Sequence, residues 1–532
     1  MKRYGFGLSA LIVLAGVLLH FPDYVAMEDM HYMMADMDMS AGMTIGMLLT
    51  IGGIILGVWS LLPSRAERAV RAMRAPTGKF AALDGAALTG AHRALAGVLT
   101  IGLVVDTMKP ASLGFVTPGL AAEYGMTTSQ AAGLPFVAIT GTVIGSLVWG
   151  ILGDIFGRRS TILISALMYI GTSICGFMPS FEGNLVMCFF MGMSAGGMLP
   201  IVFSLMSESI PTRHRGWLLV LQSGLGTTLG YLIASGAASV LAPEFGWRSL
   251  WLLGAPTGLL LVVLTRWIPE SPRYLLACGR DAEAAEVMAR YGVRAIEATD
   301  SAETDAPPEQ PVPAGQSQKT RRVSALIGLP YRTRTLGIVL YGLGWGAVNW
   351  GFVTFLPVFL QATGAGTNAS RLLFFSSLFA LPATAVAAVL YARWSSRRSM
   401  LVYSAGTVAV LLLFSLLSPQ EPGNGGLFIG LVGVLLAGIG GMIAMLSPYA
   451  AEVYPTTLRA TGSGVAAASS KVGGMFGPLL LTSAPRIEAL ALVCAAPVAA
   501  ALLALWRTGM ETAGQPLVEA VTPTGTPTAG EG

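Results

Sequence analysis

The chain has 532 residues, of which 54% are hydrophobic and only 11% charged, and its net charge is +4. Soluble domains carry about 25% charged residues, so a water-soluble globular protein is excluded. The basic residues sit in short loops and form no nucleic-acid surface, and the four scattered cysteines (Cys175, Cys188, Cys278, Cys494) show no paired spacing that would make a disulfide framework or zinc site.

Apolar stretches of about 20 residues recur along most of the chain, the length that crosses a hydrocarbon core of about 30 Å. Runs this long satisfy their backbone amides internally only as helices, which excludes barrel strands. The pattern predicts fourteen spans. A first pair runs about 5–21 and 41–62, followed by twelve near 94–120, 130–152, 160–178, 184–207, 216–240, 249–268, 335–360, 370–393, 400–418, 426–450, 460–481 and 487–506. The expected organisation is a two-helix extension (1–62), a basic linker (63–93), a six-helix half (94–268), a central loop (269–334), a second six-helix half (335–506) and a disordered tail (507–532). The stretch Thr299 to Lys319, rich in Pro, Glu, Asp, Ser and Gln, is expected to be a flexible linker. Lys2-Arg3 before an apolar run also fits a signal peptide, but no small-x-small cleavage site stands clearly after it.

Lysine and arginine mark the cytoplasmic side. They cluster before the first span, between 65 and 93, at Arg158-Arg159, at Arg213 and Arg215, from Arg266 to Arg294, at Arg321-Arg322, at Arg397-Arg398 and at Arg459. The 20–40 loop holds five carboxylates and no lysine or arginine. It is therefore expected outside, with both termini in the cytoplasm of a cell whose inner (plasma) membrane the chain spans.

The two six-helix halves repeat each other at an offset of 244 residues. Gly196-Gly197-Met198 matches Gly440-Gly441-Met442, and each copy ends in Glu-x-x-Pro-Thr-x-x-Arg, at Glu208 to Arg215 and Glu452 to Arg459. Charged residues are rare here, so chance does not easily produce both sets. Parallel repeats of this kind place a substrate at the midplane between the halves.

The motifs carry a family resemblance. GILGDIFGRRS at 150–160 resembles the major facilitator signature, Gly-x3-Asp-x-x-Gly-Arg-Arg, between core helices two and three. PESPRYL at 269–275 is similar to the motif that follows helix six in sugar porters and in organic-ion and aromatic-acid transporters. AEVYPTTLRATGSG at 451–464 and KVGGMFGP at 471–478 resemble helices ten and eleven of the organic-ion branch. The signature usually has a basic residue where Ile155 stands, and the second-half copy near Ala392 to Arg398 has lost its aspartate and glycine. The resemblance implies an all-α integral membrane protein with the major facilitator fold of two six-helix halves, here preceded by two extra N-terminal transmembrane helices. Fourteen-helix drug exporters carry their extra pair in the middle instead. The resemblance further implies that Asp154, Gly157, Arg158 and Arg159 form a cytoplasmic latch favouring the outward-facing state. Glu208, Arg215, Glu270, Arg273, Glu452 and Arg459 look like further members of that network, the alternative being ordinary charge on the cytoplasmic side.

Three groups of residues could carry chemistry. Asp106 and Lys109 lie midway along core helix one, three residues apart and so on one face. Ionisable residues inside a span cost about 2.5–3.5 kcal/mol on insertion scales and face a cavity or a partner, so the two are either a neutralised structural pair or a proton or substrate-charge site. Core helix seven offers Trp345, Asn349, Trp350 and Gln361, polar amides and aromatics suited to a small polar or aromatic solute. The external loop packs Met27, Met30, Met33, Met34, Met37 and Met39 with His20 and His31, and Met43 continues the four-residue spacing into the second span. Neutral thioethers select Cu(I), whereas methionine elsewhere is an apolar filler; a solvated loop would have no core to fill.

These residues lead to a proton-coupled secondary transporter that takes up a small organic ion or polar metabolite by alternating access. The lack of the antiporters' Gly-Pro-Gly-Gly signature in core helix five favours symport. The expected partners are a small-molecule substrate, protons and the lipid bilayer, with the chain acting as a monomer. A copper transporter that collects metal at the external loop and a membrane metal sensor are the alternatives. No cofactor is expected beyond that copper. An enzyme is not expected, because the four histidines do not cluster with a nucleophile and no phosphate-cradling loop occurs.

Overall fold

The computed structural model describes residues 2–62, 87–292, 326–328, 331–362, 368–417, 425–454, 456–483 and 486–512. The predicted polar stretch 299–319, most of the basic linker and the tail beyond 512 lie outside them. Twelve of the described helices are long and apolar enough to cross a membrane, Gly5–Val25 and Ala41–Leu61 among them. The two remaining predicted spans are helical as well. Core helix four is broken at Gly196-Gly197 into Phe181–Ala195 and Met198–Ser209, and core helix eleven, Thr456–Ser483, is rich in Gly, Ser and Thr.

Core helices one to six are Gly90–Ala111, Gly133–Phe156, Arg158–Gly171, the broken fourth, Thr212–Phe245 and Gly254–Leu264. Core helices seven to twelve begin at Arg332 and end at Thr508, with the eighth, ninth, tenth and twelfth spanning Asn368–Arg393, Ser396–Leu417, Gly425–Val453 and Ile487–Thr508. Between the halves, Pro272–Ala277 and Asp281–Arg290 turn the start of the expected loop into short helices. The halves touch along core helices five and eight, where Thr228 Oγ1 lies 3.2 Å from Thr384 Oγ1 and Ser235 Oγ lies 3.3 Å from Ser377 Oγ. At the end remote from the arginines they close between the helix Leu113–Glu123, which continues core helix one, and the 3-10 turn Val353–Phe355 of core helix seven. A Cβ on Gly114 would come within 2.3 Å of the Thr354 carbonyl oxygen, so only glycine permits that approach.

The N-terminal pair packs through small residues, as membrane helices do in the absence of a hydrophobic drive. Gly46, Gly53 and Gly57 are buried against the first helix, and Gly57 and Thr50 meet Leu167 and Gly171 of core helix three. The pair thus rides on the outer face of the N-terminal half.

The loop joining that pair is folded, which corrects the expectation of a solvated segment. It forms a helix, Phe21–Val25, and a 3-10 turn, Glu28–Met30, and buries Met34 and Met43 with Tyr24 and Phe177. Glu123, at the far end of the first half, fastens it: its Oε1 accepts from Met34 N (2.7 Å) and Ala35 N (2.9 Å). The same carboxylate pairs with Arg248 at 2.7 Å and accepts from Trp247 Nε1 at 2.8 Å, with both charged side chains almost fully enclosed. Arg248 also donates to the Met178 carbonyl (2.8 Å), so the pair is satisfied on both sides. A buried ion pair persists only with such supporting bonds.

Candidate functional site

A cavity of about 1080 Å³, counting its mouth, lies between the two halves. Asp106, Thr107 and Tyr231 line it from the first half, and Trp345, Asn349, Trp350, Ser470 and Lys471 from the second. An apolar, aromatic wall with a few convergent polar groups is the usual make-up of a small-molecule site. Among the described residues lining it there is no Met, Cys or His.

The structure separates Asp106 from Lys109. Asp106 turns into the cavity, where its Oδ1 is buried without a hydrogen-bond partner. Lys109 turns the other way, into the N-terminal half, and donates to Tyr169 O (3.0 Å) and Thr172 Oγ1 (2.7 Å), with Nζ 4.6 Å from the Tyr169 ring centroid. It does not neutralise Asp106, so of the two readings left open by the spacing the mutually neutralised pair is not the one formed. A three-residue step makes two residues neighbours on a helix, but their side chains still diverge, and carbonyl and hydroxyl acceptors attract the ammonium where core helix three passes into the 3-10 turn Thr172–Phe177.

The cation that Asp106 faces across the cavity is Lys471. It stands on core helix eleven and reaches over the interface, donating to Ser146 Oγ and to Gly196 O (3.2 Å), both in the first half. Sequence reading missed it, although a lone lysine inside a span is itself a signal. Tyr231, also unread, places a buried, unpartnered hydroxyl at the cavity wall.

Core helix seven supplies the aromatic wall. After Arg332–Gly346 the chain forms a π turn, Ala347–Phe352, the kind of insertion that frequently marks functional positions. It carries Asn349 and Trp350 into the cavity, while Trp345 lines the cavity and anchors its indole N–H on Ile439 O at 2.9 Å. The side chain of Gln361 lies outside the described residues.

At the arginine-rich end, Glu270 caps core helix three. Its Oε1 accepts from Arg158 N (2.6 Å), Arg159 N (3.3 Å) and Ser271 N (3.0 Å), placing negative charge at a helix N-terminus. Burial pushes the Glu270 carboxyl above its usual range, while those N–H groups and the Arg158 charge pull it back. Gly157 has φ of +90°, and a Cβ there would lie 2.5 Å from Glu270 Oε2, so the signature glycine makes room for the cap. The second half builds a counterpart from the expected disordered tail. Glu511 Oε1 accepts from Ser396 N and Ser396 Oγ (both 2.8 Å), and its other oxygen accepts from Ser395 Oγ, at the start of core helix nine. Tyr391 and Thr512 each donate to Glu452 Oε2 at 2.6 Å. Residues 509–512 are therefore held, and the tail boundary moves accordingly. Arg215 donates to Ile210 O (3.2 Å), near the end of core helix four. The side chains of Asp154, Glu208, Arg273 and Arg459 lie outside the described residues.

The expected copper ligands divide by burial. His20, Met34 and Met43 are buried, Met27 and Met37 pack partly against them, and Met30, Met33 and Met39 are exposed. His31 ends the 3-10 turn in the left-handed region at φ of 52°.

A family model described as the Major Facilitator Superfamily matches residues 98–478, beginning after the N-terminal pair. The 4-hydroxybenzoate transporter PcaK of Acinetobacter baylyi is 30% identical over 426 residues, covering 76% of this chain and 88% of its own. The niacin transporter NiaP of the same organism is 27% identical over 415 residues, covering 76% and 88%. Among solved structures, the partially occluded inward-open xylose transporter XylE from E. coli superposes with a TM-score of 0.63 at 16% identity, covering 81% of this chain and all of that one. The chain is a membrane transporter that belongs to the major facilitator superfamily.

Proposed function

We propose that the chain imports a small aromatic carboxylate together with a proton across the plasma membrane, acting as a monomer with both termini in the cytoplasm. The observation that carries this reading is the placement of Asp106 and Lys471, contributed by opposite halves, in one cavity walled by Trp345, Trp350 and Tyr231. The ammonium of Lys471 suits a carboxylate, the aromatic side chains suit a ring, and Asn349 and Tyr231 suit a ring hydroxyl or nitrogen. The names of the relatives, transporters of 4-hydroxybenzoate and of niacin, fit that chemistry.

Charge balance gives the coupling. With the cavity empty, ionised Asp106 faces Lys471 and the two compensate. A proton on Asp106 releases Lys471 to take the substrate anion, so the loaded cavity is again neutral and the halves can rock past a low-dielectric core. The opposite half-loaded state leaves a net charge there, which is costly. Asp154, Arg158 and Arg159, with Glu208, Arg215, Glu270, Arg273, Glu452 and Arg459, serve as the latch released during that rocking. The copper-transporter and metal-sensor readings draw nothing from this cavity, whose described lining holds no soft donor.

Proteoliposome uptake of labelled 4-hydroxybenzoate and nicotinate under an imposed pH gradient tests the reading. Wild type should accumulate at least one of them, Lys471→Met should lose binding and uptake, and Asp106→Asn should lose gradient-driven accumulation while keeping counterflow exchange. Undiminished accumulation by Asp106→Asn would remove the coupling role, and undiminished binding by Lys471→Met would remove the carboxylate site.

A further inference from the structure

We infer that the N-terminal cap contains a buried binding site for a soft monovalent metal ion, Cu(I), with His20 Nε2 and the thioethers of Met34 and Met43 as ligands. The site is independent of the transport reading, since it lies in the cap over the first half and not in the central cavity.

The histidine carries the case. His20 is fully buried, and its Nδ1 lies 2.9 Å from the Gly16 carbonyl oxygen. A carbonyl only accepts, so Nδ1 holds the proton and Nε2 keeps its lone pair. That Nε2 is enclosed and has no hydrogen-bond partner, a state that costs free energy unless something fills it. An imidazole whose other nitrogen donates to a backbone carbonyl is also the arrangement that orients metal-ligating histidines.

The surroundings supply soft donors. The ring stacks on Phe177 with centroids 5.4 Å apart, and its Nδ1–Cε1 edge lies against Gly46, one turn after Met43 on the second helix. Met34 and Met43 are 1% and 0% exposed and share one packed cluster with Phe177. Met34 is further fixed through its backbone by Glu123. Two neutral thioethers and a neutral imidazole suit Cu(I) over hard cations. Among the described residues no group of three or more His, Cys, Asp or Glu is placed to hold a metal, so a divalent ion lacks a ligand set here. Met30 and Met33 are exposed and are not among the ligands assigned here.

The test is an anaerobic titration of the purified full-length protein with Cu(I), in competition with a chromophoric Cu(I) chelator, followed by X-ray absorption at the copper edge. Wild type should hold one equivalent in a shell of sulfur and imidazole scatterers. Met34→Leu with Met43→Leu nearly conserves volume, and His20→Phe keeps the stack on Phe177; each should weaken binding by at least about 100-fold, beyond what loss of a supporting neighbour costs. Met30→Ser with Met33→Ser and Met39→Ser should still bind. Wild-type affinity no higher than that of His20→Phe would overturn the site. So would loss of binding confined to the exposed triple variant. If the buried variants fail to fold, the wild-type spectrum alone decides, and a shell without sulfur would overturn the assignment.

Discussion

The two halves cap their third helices with a carboxylate that arrives from beyond their sixth, yet with different chemistry around it. In the first half Glu270 meets backbone N–H groups beside Arg158 and Arg159, over a glycine that clears the space. In the second half Glu511 meets Ser395 and Ser396, and Thr512 and Tyr391 hold the neighbouring Glu452. What persists is negative charge at a helix N-terminus, where the backbone itself provides the donors. What varies is whether arginines or hydroxyls surround it. The signature motif is therefore one way to build this joint, and its erosion between core helices eight and nine does not abolish the joint.

Charge also dominates the far end of the first half, and the largest expected effect lies there. Glu123→Gln leaves Arg248, which is 0% exposed, as an uncompensated buried charge. The loss of stability should be about 3–5 kcal/mol, read as a lowered unfolding midpoint in detergent; Glu123→Ala, which also removes the acceptor for Met34 N and Ala35 N, should in addition open the 20–40 cap to proteolysis. Glu123→Gln with Arg248→Met should recover much of that loss. A single variant that loses less than about 1 kcal/mol would mean the pair is no stronger than a surface ion pair.

Next in size is a direct contest between the two caps. Glu270→Ala removes hydrogen bonds to a charged acceptor that is half-buried, worth about 1.5–3 kcal/mol in all. Glu511→Ala should cost roughly half as much, about 0.5–1.5 kcal/mol, because that side chain is exposed and water competes for it. Parallel unfolding measurements and initial uptake rates would rank the two variants. Equal losses would show that neither solvent exposure nor the arginine surroundings sets the strength of the joint.

The parts of this architecture that were readable from sequence share one property: they are rare residues in an apolar background. Paired Glu, Pro-Thr and Arg sets at Glu208 to Arg215 and Glu452 to Arg459 announced the duplication, and Asp106 announced an intramembrane site. Direction was not readable. A three-residue spacing placed Lys109 near Asp106 but not facing away toward Tyr169. Lys471 was hidden among Gly, Ser and Ala, where the surrounding motif drew attention to family likeness and not to charge. Partners distant in sequence stayed dark: Glu123 and Arg248 are separated by 125 residues, and nothing local in either names the other. The cap loop was misjudged because methionine serves equally as a soft ligand and as core filler, and only burial tells which thioethers are enclosed. Glu511 was lost in a tail whose Gly, Thr and Pro composition reads as disorder, though four residues of it form a joint.

The smallest effect is a pH slope, and it separates the electrical part of the first cap from its geometry. Glu270→Gln keeps an oxygen acceptor for Arg158 N, so the cap's shape survives while its titration disappears. Burial is the largest influence on Glu270 and raises its carboxyl above 4.5, outweighing the N–H donors and the Arg158 charge. A carboxyl raised in the folded state binds its proton more tightly there than in the unfolded chain. Its contribution is thus fully present below the unfolded value and is lost as pH climbs through the folded one. Wild type should therefore lose stability relative to Glu270→Gln as pH rises from about 4.5 toward neutrality, with the difference flattening once the folded carboxyl has ionised. Unfolding midpoints of the two proteins measured side by side across that range provide the check. A difference that grows in the opposite direction would mean that the N–H groups and Arg158 outweigh burial, so that the first cap, like the second, is held chiefly by its donors.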